Sequence, residues 1–316
     1  MDVGSRLTLD IEKPVAGGRM LARHDGQVVL VWGAIPGERV EAEIERVGKG
    51  ILYATTTGII TASPDRRPAH PDWRCGGNTY AHISYPRQVA LKGQIIQDSF
   101  GRIGRIRLPA PDVISSPEHG YRMRARLHAS GYRLGYFREG SHELCDPAAT
   151  RQLSDATHEW IARTEDVLRR RRLDGVASIE ISENIGGDER ASHVALHAGV
   201  DASQASTIAE PSTVGDVLHA REGDPATALR LRRTVRAFFQ ANRFLIEPLA
   251  RHVSSLVPEG RVVDLYAGVG LFGLSLAALG FDDVTLVGGD RVSGADLQEN
   301  ADQFRMSVRV ERTSVE

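Results

Sequence analysis

The period of the apolar positions changes along this chain. Near the front, short runs such as Leu7-Thr8-Leu9, Val28-Val29-Leu30-Val31 and Val40-Glu41-Ala42-Glu43-Ile44 are separated by Gly17-Gly18, Asp25-Gly26, Pro36-Gly37 and Gly48. Such β-type runs, broken by turn residues, predict a small five-stranded, OB-like β-barrel over residues 1–61. The proline-rich stretch Ser63-Pro64-Asp65-Arg66-Arg67-Pro68-Ala69-His70-Pro71 then reads as a boundary. Residues 62–225 predict an α+β region. Ser154 and Asp155 offer an N-cap, Trp160, Ile161, Val167 and Leu168 give a helical stripe, and Arg169 to Arg172 complement the dipole at its far end. Ser178 to Ser182 and His193 to His197 alternate with period two around Gly186-Gly187, which predicts a hairpin.

The last region, 226–316, is read as a helical run from Ala228 to Ala241, continued by a second from Leu245 to Val257. Arg261-Val262-Val263 then reads as a buried strand, Leu271 to Leu279 as a helix ended by Gly280, and Val284 to Val287 as a second strand. Ala295 to Phe304 follows as its helix and Val308-Arg309-Val310 as the start of a third strand. Strands alternating with helices predict an α/β, Rossmann-like parallel sheet, of which the first half is expected here.

Composition narrows the class without choosing a function. A chain of 316 residues with 41% hydrophobic content has room for two or three packed domains. No run is long and apolar enough for a membrane span, and charged residues interrupt the N-terminus too early for a signal peptide, so a cytoplasmic protein is expected. Its two cysteines, Cys75 and Cys145, are expected as thiols in a reducing compartment. A net charge of −2 excludes a uniformly basic nucleic-acid binder, although patches escape such an average. The strongest patch runs from Tyr121 to Arg138. There Arg122, Arg124, Arg126, Arg133 and Arg138 interleave with Tyr132, Tyr136 and Phe137, and no acid intervenes. On a strand Arg122, Arg124 and Arg126 share one face, which suits a row of phosphates as well as it suits an ordinary solvated sheet.

Candidate chemistry concentrates in Asp264-Leu265-Tyr266-Ala267-Gly268-Val269-Gly270, between the strand and the helix. Gly268-x-Gly270-x-x-Gly273 matches a dinucleotide fingerprint, with Asp290 near the spacing of a ribose-binding acid. Asp264 ahead of the first glycine instead suits a ligand carrying positive charge, such as the sulfonium and ammonium of S-adenosylmethionine. The turn alone leaves both cofactors open.

Phe238-Phe239-Gln240-Ala241-Asn242 together with Asp264 to Gly273 resembles the S-adenosylmethionine-dependent RNA uracil-5 methyltransferases. The resemblance covers most of the chain. Val15-Ala16-Gly17-Gly18 through Ala34-Ile35-Pro36-Gly37-Glu38-Arg39-Val40 resembles a TRAM domain, the small RNA-binding barrel that many of these enzymes carry. Arg74-Cys75-Gly76-Gly77, Tyr121 to Leu127 and Ser141-His142-Glu143-Leu144 resemble the family's middle region.

This resemblance implies methyl transfer from S-adenosylmethionine to C5 of a uridine in rRNA or tRNA. It places Gln240 on the cofactor, Tyr266 on its adenosine side, Gly268 and Gly270 at its close backbone approach and Asp264 at its methionine end. Where the family has a glutamate for the ribose hydroxyls this chain has Gly288, with Asp290 two residues on as a substitute. RNA becomes the expected partner of Arg122, Arg124, Arg126 and Arg133, with no membrane and a monomer as the default. The family's nucleophilic cysteine and its base are both expected beyond Glu316, so no catalytic residue is named within the chain, which is expected to be inactive as it stands.

Some relatives hold an iron-sulfur cluster on four cysteines. Only Cys75 matches here, with Ala69, Asn78 and Thr150 at the other positions, so neither a cluster nor any metal is expected. Cys75 is then read as a structural residue in a tight turn and Cys145 as a small buried hydrophobe. The rival readings are a non-catalytic RNA-binding protein with a remnant cofactor site, and an NAD-linked oxidoreductase.

Overall fold

A computed structural model of the protein describes residues 1–67, 72–208 and 211–315. The chain divides into two compact units, Met1–Ser115 with Phe137–Cys145 and Ser116–Tyr136 with Asp146–Glu316. The first unit begins with five strands, β1 (Arg6–Pro14), β2 (Met20–His24), β3 (Gln27–Trp32), β4 (Arg39–Gly48) and β5 (Ile51–Thr61). They close into a barrel in the order β1-β2-β3-β5-β4.

Alternation does the sorting. Leu7, Leu9 and Ile11 of β1 and Val40, Ala42 and Ile44 of β4 point inward, while the residues between them face solvent or lie half-buried. Asp25 and Gly26, with φ of 48° and 79°, form a two-residue loop between the paired His24 and Gln27. Both central residues need positive φ in the turn that matches strand twist, hence Asp-Gly. Beyond the barrel, Glu38 is 1% exposed and accepts hydrogen bonds from the backbone N–H of Ile35 and Ser63 and from the Arg66 guanidinium, which also donates to the Gly33 carbonyl. That buried pair fixes the exit of the chain. Helix α1 (Tyr85–Arg102) adds Leu91 to the barrel core, beside Ile83.

The cysteines correct the expectation of free thiols. Cys75 and Cys145 are joined by a disulfide with their Cα atoms 5.8 Å apart, and no free cysteine remains. Cellular compartment, which sets the usual state of a thiol, says nothing about spacing in the fold. The bond closes 70 residues of chain, a constraint on the unfolded state worth about 4 kcal/mol by chain entropy. Asn78 is buried and donates to the Asp72 carbonyl, Thr150 is buried and donates to the Pro147 carbonyl, and Ala69 lies outside the described residues.

The chain continues with β6 (Arg124–Ser130), β7 (Arg133–Phe137) and the two-residue β8 (Leu144–Cys145). Helix α2 (Pro147–Thr150) is one turn, and α3 (Asp155–Arg171) starts at the predicted cap, where the Ser154 hydroxyl accepts from Thr157 N–H. Next come β9 (Val176–Glu183) and β10 (Arg190–Leu196), the predicted hairpin, with Gly187 at φ 82° in its turn. Within the second unit these strands run in the antiparallel order β10-β9-β6-β7.

After α4 (Ser203–Ser206), the chain forms β11 (Thr213–His219) and β12 (Ala228–Thr234), an antiparallel pair. The structure therefore overturns the helical run expected from Ala228. Leu229, Leu231 and Arg233 all point inward at a spacing of two, and each is 0% exposed. The Arg233 guanidinium is matched there by the Asp216 carboxylate, the Ser182 hydroxyl and the Glu183 carbonyl. A buried charge is tolerated only when so completely paired.

Helix α5 (Ile246–Leu256) then leads to β13 (Val262–Leu265), α6 (Leu271–Ala278), β14 (Val284–Val287), α7 (Arg291–Ala301) and β15 (Val308–Glu311). The three strands are parallel in the order β13-β14-β15. All four residues of β14 are buried, as a central parallel strand requires. Val263 and Leu265 of β13, at the sheet edge, are 52% and 54% exposed.

Candidate functional site

Parallel registers Leu265↔Val287 and Val287↔Glu311 align the carboxyl ends of all three strands. Ligands of open α/β sheets bind at that end. The turn after β13 is built for close approach. Tyr266 adopts φ 61°, a left-handed conformation unusual for a side chain of its size, and its ring is left 70% exposed. Gly268 and Gly270 follow at φ 58° and 99°. Around Gly268, a Cβ would meet nothing closer than the Tyr266 carbonyl oxygen at 4.0 Å, so the backbone there faces open space. At Gly270, a Cβ would lie 2.5 Å from Leu274 Cδ1, and at Gly273 it would lie 2.2 Å from Leu286 Cδ2. Two of the three glycines thus serve the packing of α6, and Gly268 leaves space for a ligand.

Asp264 braces the same turn. Its Oδ2 accepts the Gly273 N–H at 3.0 Å, which satisfies a free donor in the first turn of α6. Burial pushes the Asp264 carboxyl above its ordinary value, and the Gly273 hydrogen bond offsets this only in part. A raised folded pKa means that stability present below the unfolded pKa is lost as pH rises through the folded one. Asp264→Asn, which keeps an acceptor for Gly273, is therefore expected to melt with wild type at low pH and above it as the pH approaches neutrality. Melting curves of both proteins across pH test this, and a difference independent of pH would refute it.

Asp290 is exposed and caps α7, its Oδ1 accepting from the N–H groups of Val292 and Ser293. The strand does not continue to it, so Asp290 is placed by a helix cap and not by strand alternation. Gly288 donates its N–H to the Glu311 carbonyl at 3.1 Å.

Gln240, half-buried, lies on the irregular segment between β12 and α5. Its neighbours are tightly held. Phe239 is 4% exposed under the Arg233 guanidinium, which sits 4.6 Å from the ring centre, while Phe238 is 70% exposed. Met123 N–H donates to the Ala241 carbonyl and Arg243 N–H to the Tyr121 carbonyl, both at 2.9 Å, around a bridge between Arg122 and Asn242. Phe239, Ala267 and Val269 belong to one apolar core, which ties the Gln240 segment and the glycine turn to the same body.

Sequence reasoning missed the ion-pair network beneath this segment. Glu183, 1% exposed, accepts from Ser154, Thr157, Arg190 and Arg243. Burial pushes its carboxyl up, but the hydrogen bonds from Thr157, Arg190 and Ser154 and the Arg243 charge outweigh it and hold Glu183 below its ordinary value. A glutamate in an alternating strand, with arginines far off in sequence, gave no local signal of this.

The arginine patch divides into two kinds. Arg122 donates through Nε to the Arg124 carbonyl at 2.9 Å and through Nη1 to Gln152 at 3.1 Å. Arg124 donates through Nη1 to the Phe239 carbonyl at 3.0 Å and through Nη2 to the Val235 carbonyl at 3.2 Å. Arg126 and Arg133 have side chains 60% and 70% exposed, each beside one carboxylate, Glu180 and Glu165. The row expected to face phosphates thus has two members turned onto the chain itself.

Comparison with known proteins agrees with this architecture. Residues 2–57 match the TRAM domain family. The 23S rRNA (uracil(1939)-C(5))-methyltransferase RlmD of Halomonas elongata is 30% identical over 96% of this chain, which spans 70% of that relative. RlmD of Methylococcus capsulatus is 31% identical over 84% of the chain and 67% of its own length. The fold matches that of Pyrococcus abyssi tRNA (uracil-54, C5)-methyltransferase in complex with S-adenosyl-L-homocysteine, with a TM-score of 0.73 at 20% identity, over 97% of this chain and 79% of that one. Order of motifs, barrel, parallel sheet and similarity along the chain converge, and the chain belongs to the RNA uracil-C5 methyltransferase family.

Proposed function

We propose that this chain binds S-adenosylmethionine at the carboxyl ends of β13 and β14 and takes part in methylation of uridine C5 in rRNA or tRNA, as a monomer in the cytoplasm. The observation that carries this reading is the glycine turn, which combines open space over Gly268 with the exposed ring of Tyr266 and is braced through Gly273 by Asp264. An adenosine needs a flat apolar surface, a backbone that can approach closely and acceptors for its ribose hydroxyls. Tyr266, Gly268 and Asp290 supply these, with Asp264 left to orient the cationic methionine end and Gln240 as a further cofactor contact. When bound, the cofactor supplies an electrophilic methyl group.

The chain's own part is to bind and orient. Arg126 and Arg133 offer exposed donors for RNA phosphates, and the uridine must leave its stack for C5 to be reached. Attack on uracil C6 calls for a thiolate, and neither Cys75 nor Cys145 offers one while they are bonded to each other.

A calorimetric titration with S-adenosylhomocysteine, run beside NAD, tests the reading. Saturable binding of the first alone is expected. Binding of NAD alone would favour an oxidoreductase, and binding of neither by folded protein would leave a non-catalytic RNA-binding protein, the reading that Gly288 favours.

A further inference from the structure

Arg124 stands at the start of β6 with its guanidinium turned onto a segment more than a hundred residues further along the chain, where its two terminal nitrogens reach the carbonyls of Phe239 and Val235. Between Thr234 and Ile246 that segment has no helix or strand of its own, so its course depends on bonds to other parts of the unit. Gln240 lies between two of them, the Phe239 carbonyl held by Arg124 and the Ala241 carbonyl held by Met123 N–H. Under it, the Phe239 ring is buried beneath Arg233. Both flanking peptides are fixed, and the Gln240 side chain is left half-exposed.

We infer that Arg124 is a positioning residue for the cofactor site, setting the orientation of Gln240 through the Phe239 and Val235 carbonyls, and not a phosphate contact. This rests on the reading of Gln240 as a cofactor contact. Two of its five N–H donors are taken by these carbonyls and its Nε is buried, so a phosphate that paired with the planar fork would compete with the carbonyls for the same two nitrogens, at a cost typical of a lost buried hydrogen bond. Burial, with Arg233 nearby, holds the Arg124 pKa below its ordinary value, as befits an enclosed cation and not a surface one. Only a planar fork spans two carbonyls four residues apart; a lysine ammonium offers a single point of donation.

The test is a double-mutant cycle on the full chain, read by calorimetry with S-adenosylhomocysteine. Arg124→Met is expected to weaken binding by about tenfold, the loss of roughly one hydrogen bond to a charged group. Arg124→Lys should recover part of it. Because Arg124 acts through Gln240, the pair Arg124→Met and Gln240→Ala should bind no more weakly than Gln240→Ala alone, whereas a general loosening of the fold would add to it. RNA affinity measured against salt should keep its wild-type slope in Arg124→Met, since removal of a phosphate contact lowers that slope by about one. Additive losses, or a reduced salt slope with unchanged S-adenosylhomocysteine affinity, overturn the inference. Failure of the wild type to bind S-adenosylhomocysteine would instead sink the proposed function itself.

Discussion

Gly270→Ala is expected to disrupt the parallel sheet, and Gly268→Ala to leave the fold standing while removing cofactor binding. The two residues lie in one turn, both at positive φ, yet they face different surroundings. At Gly270, φ is 99°, outside the conformations open to alanine, and the added methyl would press on Leu274 Cδ1 at 2.5 Å, Leu274 Cγ at 2.9 Å and Leu297 Cδ1 at 3.2 Å. Leu274 and Leu297 are 0% exposed and have nowhere to go. Backbone strain and overpacking together cost about 3 kcal/mol or more, a large share of a domain's stability. At Gly268, φ is 58°, which alanine tolerates at about 1 kcal/mol, and the methyl would enter open space. That space is where the ligand backbone contact is proposed. Denaturation curves should show a large loss for Gly270→Ala and a small one for Gly268→Ala, and titration of the folded Gly268→Ala protein with S-adenosylhomocysteine should show little binding. Wild-type affinity in Gly268→Ala would move the cofactor away from this turn.

How far the sequence foretells this structure depends on whether an element is decided locally. The barrel was legible because its inward residues alternate and its turns carry Asp25-Gly26 and Pro36-Gly37. The run β13 to β15 was legible because its strands are short, β13 and β14 are largely apolar, and each of those two is followed by a helix. β12 was not. Ala228-Leu229-Arg230-Leu231-Arg232-Arg233-Thr234 is rich in good helix formers, and its strand form is imposed by pairing with β11 and by Asp216, which waits for Arg233 in the interior. The same limit governs the arginines. Whether an arginine on a strand faces solvent or a carbonyl depends on which distant segment packs over it, and the partners of Arg124 lie 111 and 115 residues away. The disulfide is likewise a meeting of residues 70 apart that no local pattern announces.

Gly288→Glu is expected to strengthen S-adenosylhomocysteine binding by about tenfold to a hundredfold, since a carboxylate gains roughly 1.5–3 kcal/mol for a hydrogen bond it accepts. The position can take the side chain. Gly288 follows β14, where φ lies outside the left-handed region, and a Cβ would meet only Leu297 Cδ2 at 3.5 Å, an ordinary contact. Gly289, one residue on, could not, since a Cβ there would lie 3.1 Å from the Thr313 carbonyl and 3.3 Å from the Ser314 backbone. In the wild type, the first acid in the chain after β14 is Asp290, and one of its oxygens is committed to the N-cap of α7. Asp290→Ser keeps a capping oxygen and removes the charge. It should therefore weaken binding in the wild-type background and have little effect in the Gly288→Glu background, a non-additivity that calorimetry on the four proteins would read. If Gly288→Glu binds no better and Asp290→Ser costs nothing, the ribose does not lie at the end of β14. A gain in Gly288→Glu with no loss in Asp290→Ser alone would place the ribose against the introduced carboxylate, leaving Asp290 as a helix cap and nothing more.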